Sequence, residues 1–406
     1  MATEPVNQLT VAKDPSDVAT DHPTFWPAVA DQIIATMTNE ARDALIARVD
    51  ILPFIDATKP PYSASPAKTA AQNTTAIQGA LDAVGAGGGG TVLLRRGEYL
   101  MTNLVMKYDN VSLVGEHGAI LTTTTVFTNT NTVPTLWIAR SNCRVSGIEF
   151  RYSGWVSASL ASMLSIGAPS GAFGQGSPIS IGYSELYTGA SSGVYNTYRG
   201  VQLQVIRGVT IEKVKILGAI MHGIAFSNTV GTRIIDCDIE QFRGTGIFGH
   251  ITAKCEISGN RLSSSKDDGI YLQNPSGHLG GVWTPLMQAD IAQCSIINNT
   301  ISRVGAKGIG ATAINGLVIA KNVINETRAQ TIAAWDEVGE GCPSPTNVLI
   351  TGNTCTECFG SYGAAADGYA YSTALTTGPY WAVDISGTNG FDVSANVIRY
   401  TTKGRD

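Results

Sequence analysis

The chain of 406 residues is 43% apolar and only 15% charged, with 45 glycines and a net charge of −5. It has no Lys/Arg-rich cluster with interleaved aromatics, which argues against a nucleic-acid partner. No run reaches the ~18 apolar residues of a transmembrane helix, so no membrane insertion is expected. High glycine with low charge is typical of strands joined by tight turns.

Residues 1–50 form a segment distinct from the rest of the chain. Its beginning lacks the basic and apolar regions of a signal peptide. Its second half has apolar residues at helical spacing, which predicts a helix that packs against a partner or the remaining chain. These residues are Ile33, Ile34, Met37, Ala41, Leu45 and Val49.

Residues 51–406 predict one strand-rich domain. Near its start, an amphipathic helix over about 73–84 is expected to cover the open end of the strand array and block edge-to-edge growth. The apolar positions of this helix are Ile77, Ala80, Leu81 and Val84. Residues 153–200, rich in Ser, Gly and Tyr, predict a long loop insertion that binds a ligand or a neighbouring subunit.

A short apolar pattern returns seven times from residue 209 onward. Its aligned positions are Ile211, Ile234, Ile257, Ile296, Ile319, Ile350 and Val393. The successive spacings are 23, 23, 39, 23, 31 and 43 residues, which predicts a 23-residue unit with inserted loops. A second segment follows each of the first five copies at constant distance. Two strands per unit, with room for a third, predict a parallel β-helix with three-strand coils.

Each of the last five copies carries an asparagine three residues after its aligned position. These residues are Asn260, Asn299, Asn322, Asn353 and Asn396. We expect them to adopt the left-handed conformation at a bend and to stack their amides as a ladder. The earlier copies have Val214 and Cys237 there, so the ladder would begin at the third copy. Cys255 and Cys294 share a slot in neighbouring units and are expected to be buried thiols rather than a disulfide.

The second segment of each unit begins with a variable polar residue. This slot holds His222, Thr245, Asp268, Lys307 and Gln330 in turn. Because it accepts five different polar residues, we expect it to face a bend or solvent. The isoleucines that follow would point inward and the residues after them outward. Those outward residues are Ala225, Phe248, Tyr271, Gly310 and Ala333. Their small and aromatic side chains resemble the shallow sugar-binding groove of β-helix proteins, and this resemblance implies His222, Phe248 and Tyr271 as sugar contacts.

Asp267 and Asp268 lie side by side immediately before such a strand. One interpretation is a catalytic pair, since two close carboxylates split their pKa values and so their roles. The other interpretation is ordinary Asp-Asp-Gly turn chemistry. In a lyase, Lys307 would act as the base while the two aspartates hold Ca²⁺. Otherwise no cofactor or metal is expected, because the five histidines lack metal-ligand spacing.

Trp335, Asp336 and Glu337 form a second candidate. An exposed Trp beside carboxylates is typical of sugar sites that combine stacking with acid–base groups. In this interpretation Asp268 and Glu337 would face one groove. The alternative is an acidic loop with the Trp packed beneath it.

The layout T-x-A-I-Q-x-A-L-D, G-G-G-T-V-L-L-x-x-G-E-Y-L and V-S-L-x-G resembles the N-terminal part of the pectate-lyase-like superfamily. That superfamily includes polygalacturonases, pectate lyases and bacteriophage tailspike depolymerases. The resemblance covers residues ~51 to 400 and implies an all-β fold, the right-handed single-stranded parallel β-helix. The stretch "KDDGIYL" resembles the Asp-Asp element of polygalacturonases, but the family's elements on the flanking coils are replaced by Gly244-Thr245-Gly246 and Ala306-Lys307-Gly308.

Together with the missing signal peptide, the resemblance implies a virion protein similar to a phage tailspike or tail fibre. Such a protein would be made in the host cytoplasm, bind other virion proteins through residues 1–50 and form a homotrimer. It would bind, and as a glycoside hydrolase depolymerise, a bacterial surface polysaccharide. Two alternatives remain: a free hydrolase or lyase acting on a polyuronate, and a non-catalytic structural or decoration protein of a virion.

Overall fold

The computed structural model describes residues 53–123, 134–152, 179–181, 197–198, 201–202, 205–219, 222–242, 244–265, 267–273, 293–335, 345–358, 382–385 and 389–399. All of these residues belong to one compact unit. The helix predicted within residues 1–50 lies outside them. Within the described ranges, no helix is long and apolar enough to cross a membrane.

Within the described residues a single helix, α1 (Ala70–Ala86), precedes most of the strands. Thr69 begins it with a capping box, in which the Thr69 hydroxyl accepts from the Gln72 N–H and the Gln72 side chain accepts from the Thr69 N–H. The helix is longer at both ends than the predicted span of 73–84. Its predicted apolar positions, Ile77, Ala80, Leu81 and Val84, are all buried in the core.

The strands stack in three parallel columns, so each coil of the chain contributes one strand to each column. Column 1 contains β1 (Phe54–Asp56), β2 (Gly90–Leu94), the first parts of β5 (Val111–Thr123) and β7 (Arg144–Tyr152), β12 (Thr210–Glu212), β15 (Arg233–Ile235), β18 (Glu256–Ser258), β21 (Ser295–Ile297), β24 (Val318–Ala320), β27 (Thr346–Thr351) and β30 (Asn389–Ser394). Column 2 contains β3 (Gly97–Met101), the second parts of β5 and β7, β13 (Lys215–Ala219), β16 (Asp238–Phe242), β19 (Arg261–Ser265), β22 (Thr300–Val304), β25 (Val323–Thr327), β28 (Thr354–Cys358) and β31 (Val397–Arg399).

Column 3 contains β4 (Leu104–Met106), β6 (Leu136–Ile138), β8 (Ile179–Ile181), β14 (Ile224–Val230), β17 (Ile247–Ala253), β20 (Ile270–Gln273), β23 (Ile309–Thr312), β26 (Ile332–Ala334) and β29 (Val383–Asp384). Strand β11 (Ile206–Arg207) pairs with β14, while β9 (Thr197–Tyr198) and β10 (Val201–Gln202) form a separate antiparallel pair. Three parallel columns are the predicted parallel β-helix.

The predicted register is confirmed strand by strand. In column 1, the seven aligned positions from Ile211 to Val393 pair with one another in sequence order. In column 3, the five isoleucines from Ile224 to Ile332 do the same, and all five are fully buried. The core is therefore a stack of isoleucines, each packed on its equivalent in the next coil.

The asparagine ladder forms as predicted and begins at Asn260. Each Oδ1 accepts N–H groups from the preceding coil, and each Nδ2 donates to a backbone carbonyl of an earlier coil, so the buried amides are fully hydrogen-bonded. The prediction that these asparagines are left-handed is wrong. The residue before each one has positive φ instead, for example Asn298 at 58° and Lys321 at 56°. The bend is made one position earlier, which leaves the asparagine free to point into the stack.

Two further features concern the predicted insertion and the cysteines. Strand β8 lies inside the predicted 153–200 insertion and pairs in register with β6 and β14, so part of that stretch belongs to the β-helix. The rest of it falls largely outside the described residues. Cys255 and Cys294 are buried free thiols, as predicted.

Candidate functional site

The candidate site lies where the chain bends into column 3. Backbone hydrogen bonds join the bends of neighbouring coils, from Gly246 N to Asp268 O at 3.1 Å and from Gly269 N to Lys307 O at 2.9 Å. The same pattern runs from His222 to Gln330. The variable polar residues predicted from the repeat are therefore stacked above one another.

The slot lies at a bend, as predicted, but the prediction that it is not part of the buried interior is wrong for its first three members. His222, Thr245 and Asp268 are buried, while Lys307 and Gln330 are half-buried. The reason is that the side chains point along the stack. Thr245 N donates to His222 Nδ1 at 3.1 Å, and Lys307 N donates to Asp268 Oδ1 at 2.6 Å. A polar side chain that pairs with the backbone of the next coil is accommodated inside.

Asp268 is only 3% exposed, and this limits its chemistry. Its Oδ1 is bound to the Lys307 N–H, and its Oδ2 lies 3.7 Å from Lys307 Nζ. Asp267 is exposed, while its backbone carbonyl accepts from Ser265 Oγ at 2.6 Å and Ala306 N at 3.3 Å. These bonds fit turn chemistry that ties one coil to the next, with Asp268 turned away from solvent.

Aromatic rings form a row along the outer side of column 3. His222 stacks on Phe248 with ring centroids 4.5 Å apart, and Phe248 contacts Tyr271 at 5.9 Å. Tyr271 stacks on Trp335 at 5.6 Å with nearly parallel rings. Phe248 is buried within the row, whereas Tyr271 and Trp335 are half-buried. Tyr271 and Trp335 are therefore the accessible part of the row, and we call this pair the aromatic platform.

Gly310 makes room for the aromatic platform. It occupies the outward position between Tyr271 and Ala333. A Cβ added there would meet Tyr271 Cδ2 at 3.0 Å and Trp335 Cζ3 at 3.2 Å, so both rings lie over the space of the missing side chain. Ala225 and Ala333 are outward in register yet buried, so the predicted shallow face is narrower than the repeat suggests.

Lys307 borders the platform. Its Nζ lies 4.5 Å from the centroid of the Trp335 ring and 5.6 Å from that of Tyr271, within the range of cation–π attraction. The side chain is 23% exposed. Among the described residues, no acceptor lies within hydrogen-bond distance of this ammonium. The negative charge paired with it is Asp268, whose Oδ2 lies 3.7 Å from Lys307 Nζ.

His222 is unsuited to carry a proton at neutral pH. Burial lowers its pKa to about 4. Its ring packs on Phe248 and its Nδ1 accepts a backbone N–H. His222 therefore holds the inner end of the aromatic row.

Asp384 is a carboxylate that the sequence analysis missed. It lies outward on β29 beside Ala333, is half-buried, and its Oδ2 is 3.5 Å from Gln330 Nε2. It is three coils from Tyr271, or about 14 Å at ~4.8 Å per coil. That separation from the Asp267–Asp268 bend exceeds the ~5–9.5 Å of paired glycosidase carboxylates. The described residues therefore do not bring these carboxylates together as an acid–base pair.

Two predicted candidates, Asp336 and Glu337, lie outside the described residues. In the part of the chain that the structure describes, no group of three or more His, Cys, Asp or Glu side chains could hold a metal ion. The outer sides of columns 1 and 2 differ from column 3, since ion pairs such as Arg233–Glu256 and Arg261–Asp238 run between their coils.

Comparison with known proteins identifies the fold. The family described as "Right handed beta helix region" matches residues 177–337. A search of curated proteins finds no match. Among solved structures, the chain is similar to a Family 28 exopolygalacturonase from Yersinia enterocolitica, with 15% identity and a TM-score of 0.55 over 87% of this chain and 66% of that one. The catalytic domain of a GH87 alpha-1,3-glucanase matches with 14% identity and a TM-score of 0.54 over 82% and 52%.

The enzymatically active domain of tailspike protein 2 from bacteriophage CBA120 matches with 12% identity and a TM-score of 0.48, over 80% of this chain and 40% of that one. The chain thus spans between 40% and 66% of the length of these three neighbours. At such identities the likeness is one of fold. The predicted right-handed parallel β-helix is confirmed.

Proposed function

We propose that this chain is a carbohydrate-binding β-helix protein, similar to a phage tailspike, which binds a bacterial surface polysaccharide along the outer side of column 3. The observation that carries the proposal is the aromatic platform of Tyr271 and Trp335 with Lys307 beside it. Both rings are half-buried and held by stacking, so little side-chain entropy would be lost on binding. A pyranose offers apolar C–H groups to such rings and hydroxyls to a neighbouring ammonium.

A binding experiment with a panel of bacterial capsular and O-antigen polysaccharides tests this proposal. Wild type is compared with Trp335→Ala and with Phe54→Ala, a control that removes an aromatic ring 62% exposed at the start of column 1. We expect Trp335→Ala to weaken binding to a recognised glycan by roughly tenfold or more, because removing a large apolar side chain from water contributes about 1.5–3 kcal/mol. Phe54→Ala should bind like wild type. Equal loss in both variants, or no glycan bound by wild type, would sink the proposal.

A second part of the proposal concerns cleavage of the bound glycan. If the protein cleaves its glycan, the reaction would depend on Asp267 or on Asp336 and Glu337, because Asp268 is turned into the stack. Reducing ends and absorbance near 235 nm distinguish a hydrolase from a lyase that uses Lys307. We expect Asp268→Asn to keep any cleavage activity, because an amide oxygen can still accept the Lys307 N–H. Loss of cleavage in Asp268→Asn, with its fold intact, would restore Asp268 as a catalytic residue.

A non-catalytic structural protein of a virion is the second candidate. It is favoured by the hydrogen bond that ties Asp268 to the next coil, because a rigid rod needs such bonds and a catalytic acid does not. The same panel decides between the two. A purely structural protein would bind none of the polysaccharides and release no reducing ends, although its secondary structure is intact.

The virion setting rests on the resemblance of residues ~51 to 400 to a superfamily that includes bacteriophage tailspike depolymerases. We propose attachment to other virion proteins through residues 1–50 and assembly as a homotrimer, after synthesis in the host cytoplasm. Light scattering would give the mass of the full chain, with 128 kDa expected from three subunits of 42.6 kDa. Removal of residues 1–50 should abolish co-sedimentation of the protein with virion particles and leave its affinity for the glycan unchanged.

A further inference from the structure

The Lys307 ammonium beside the aromatic platform has few polar partners among the described residues. About three quarters of its side chain is removed from solvent. Within the described residues it has two ring faces and one carboxylate at 3.7 Å as neighbours, and no acceptor at hydrogen-bond distance. Three N–H donors beside a sugar-sized aromatic surface are suited to oxygen atoms of a ligand.

The charge around Lys307 indicates which oxygen atoms these are. Between β20 and β29, the bends and the outer side of column 3 carry three described carboxylates, Asp267, Asp268 and Asp384, against two described cations, Lys307 and Arg328. His222 adds no positive charge, since it is buried and accepts a backbone N–H. Among the described residues, the surroundings of Lys307 are thus not positive overall.

A uronate would bind poorly in such surroundings. Its carboxylate would have to approach Lys307 beside Asp268 Oδ2, which already compensates the ammonium at 3.7 Å. Like charges placed side by side disfavour binding, and the half-buried position strengthens the effect because solvent screens it less. A hydroxyl accepts a hydrogen bond from the ammonium without this repulsion.

We propose that the sugar residue held at the aromatic platform is uncharged, with hydroxyl groups that accept hydrogen bonds from Lys307. The inference rests on the proposed function, since it names the class of glycan for the same site. Lys307 is here a binding residue for a neutral sugar. Asp268 is a specificity residue that excludes acidic sugars by its charge.

Carboxyl reduction gives a matched pair of ligands for the test. Each uronate-containing capsular polysaccharide of the panel is used in its native form and in its carboxyl-reduced form, which is the same polymer with neutral hexoses. Neutral polysaccharides are tested beside them. We expect neutral or reduced forms to bind at least roughly tenfold more tightly than the native acidic forms, with an affinity that changes little between low and high salt.

Substitutions of Lys307 and of Asp268 test the two proposed roles separately. Lys307→Gln should weaken binding of the neutral form, whereas Lys321→Gln, which removes an exposed lysine at a column 1 bend, should not. Asp268→Asn should improve binding of the native acidic form. Tighter binding of acidic than of reduced polymer, with strong salt dependence, would overturn the inference and leave the proposed function standing. No binding of any polymer in either form would refute both.

Discussion

Asn299→Ala tests the most regular feature of the molecule, the asparagine ladder. Asn299 is fully buried and makes four side-chain hydrogen bonds. Its Oδ1 accepts from Asn260 N at 3.0 Å and Asn260 Nδ2 at 2.9 Å. Its Nδ2 donates to Ile257 O and to Asn322 Oδ1, both at 3.0 Å. Alanine removes all four bonds and leaves the Asn260 N–H buried without this partner.

The size of the effect follows from these bonds. At a net ~1 kcal/mol each, four hydrogen bonds amount to about 4 kcal/mol, and a small cavity adds to this. We therefore expect the free energy of unfolding to fall by about 3–5 kcal/mol. The measurement is the shift of the urea midpoint, followed by far-UV circular dichroism at an unchanged slope.

A matched asparagine serves as the control. Asn325 is half-buried on the outer side of column 2 and accepts one hydrogen bond, from Thr356 Oγ1 at 2.8 Å. Asn325→Ala should cost at most about 1 kcal/mol. If Asn299→Ala shifts the midpoint no more than Asn325→Ala does, the ladder contributes little and its buried amides are not a source of stability.

Three further predictions concern the site. Gly310→Val should displace the Trp335 ring from Tyr271, which would reduce the near-UV circular dichroism and weaken glycan binding. The control is Gly79→Ala, whose added Cβ makes only an ordinary 3.4 Å contact, and it should show neither change. Because the pKa of His222 is lowered to about 4 and its unfolded value is ~6.5, the free energy of unfolding should fall as the pH drops through this window, by about 2–3 kcal/mol near the lower end. His222→Asn should lack that part of the decrease in urea titrations. Asp268→Ala should leave the Lys307 N–H without its hydrogen-bond acceptor and lower the free energy of unfolding by about 1–3 kcal/mol. An unchanged urea midpoint would show that the hydrogen bond from Lys307 N to Asp268 does not stabilise the stacking of these coils.

The repeat made the fold predictable in detail. Because each coil must place the same apolar residue over its equivalent, a spacing of 23 residues determines both the columns and their register. This is why the pairing of Ile211 with Ile234 and of Ile224 with Ile247 was predictable from the sequence alone. Asn260 and its equivalents stood out for the same reason.

The site was less predictable, for two physical reasons. A variable polar slot looks solvent-facing in sequence, but a side chain such as that of Asp268 can be buried once it accepts a backbone N–H of the next coil. The period also gives no information on a side chain that folds back across coils. Trp335 reaches Tyr271 only because Gly310 leaves space between them. Asp384 follows Ala333, its partner in the preceding coil, by far more than 23 residues, so the repeat spacing did not reveal its position.

The most direct test of the central claim is a crystal structure of the protein with a bound oligosaccharide taken from a polysaccharide that it recognises. We predict a sugar ring against Tyr271 and Trp335, with its hydroxyls at hydrogen-bond distance from Lys307 Nζ. A glycan bound instead against the ion-paired outer sides of columns 1 and 2, with the aromatic platform empty, would contradict the account.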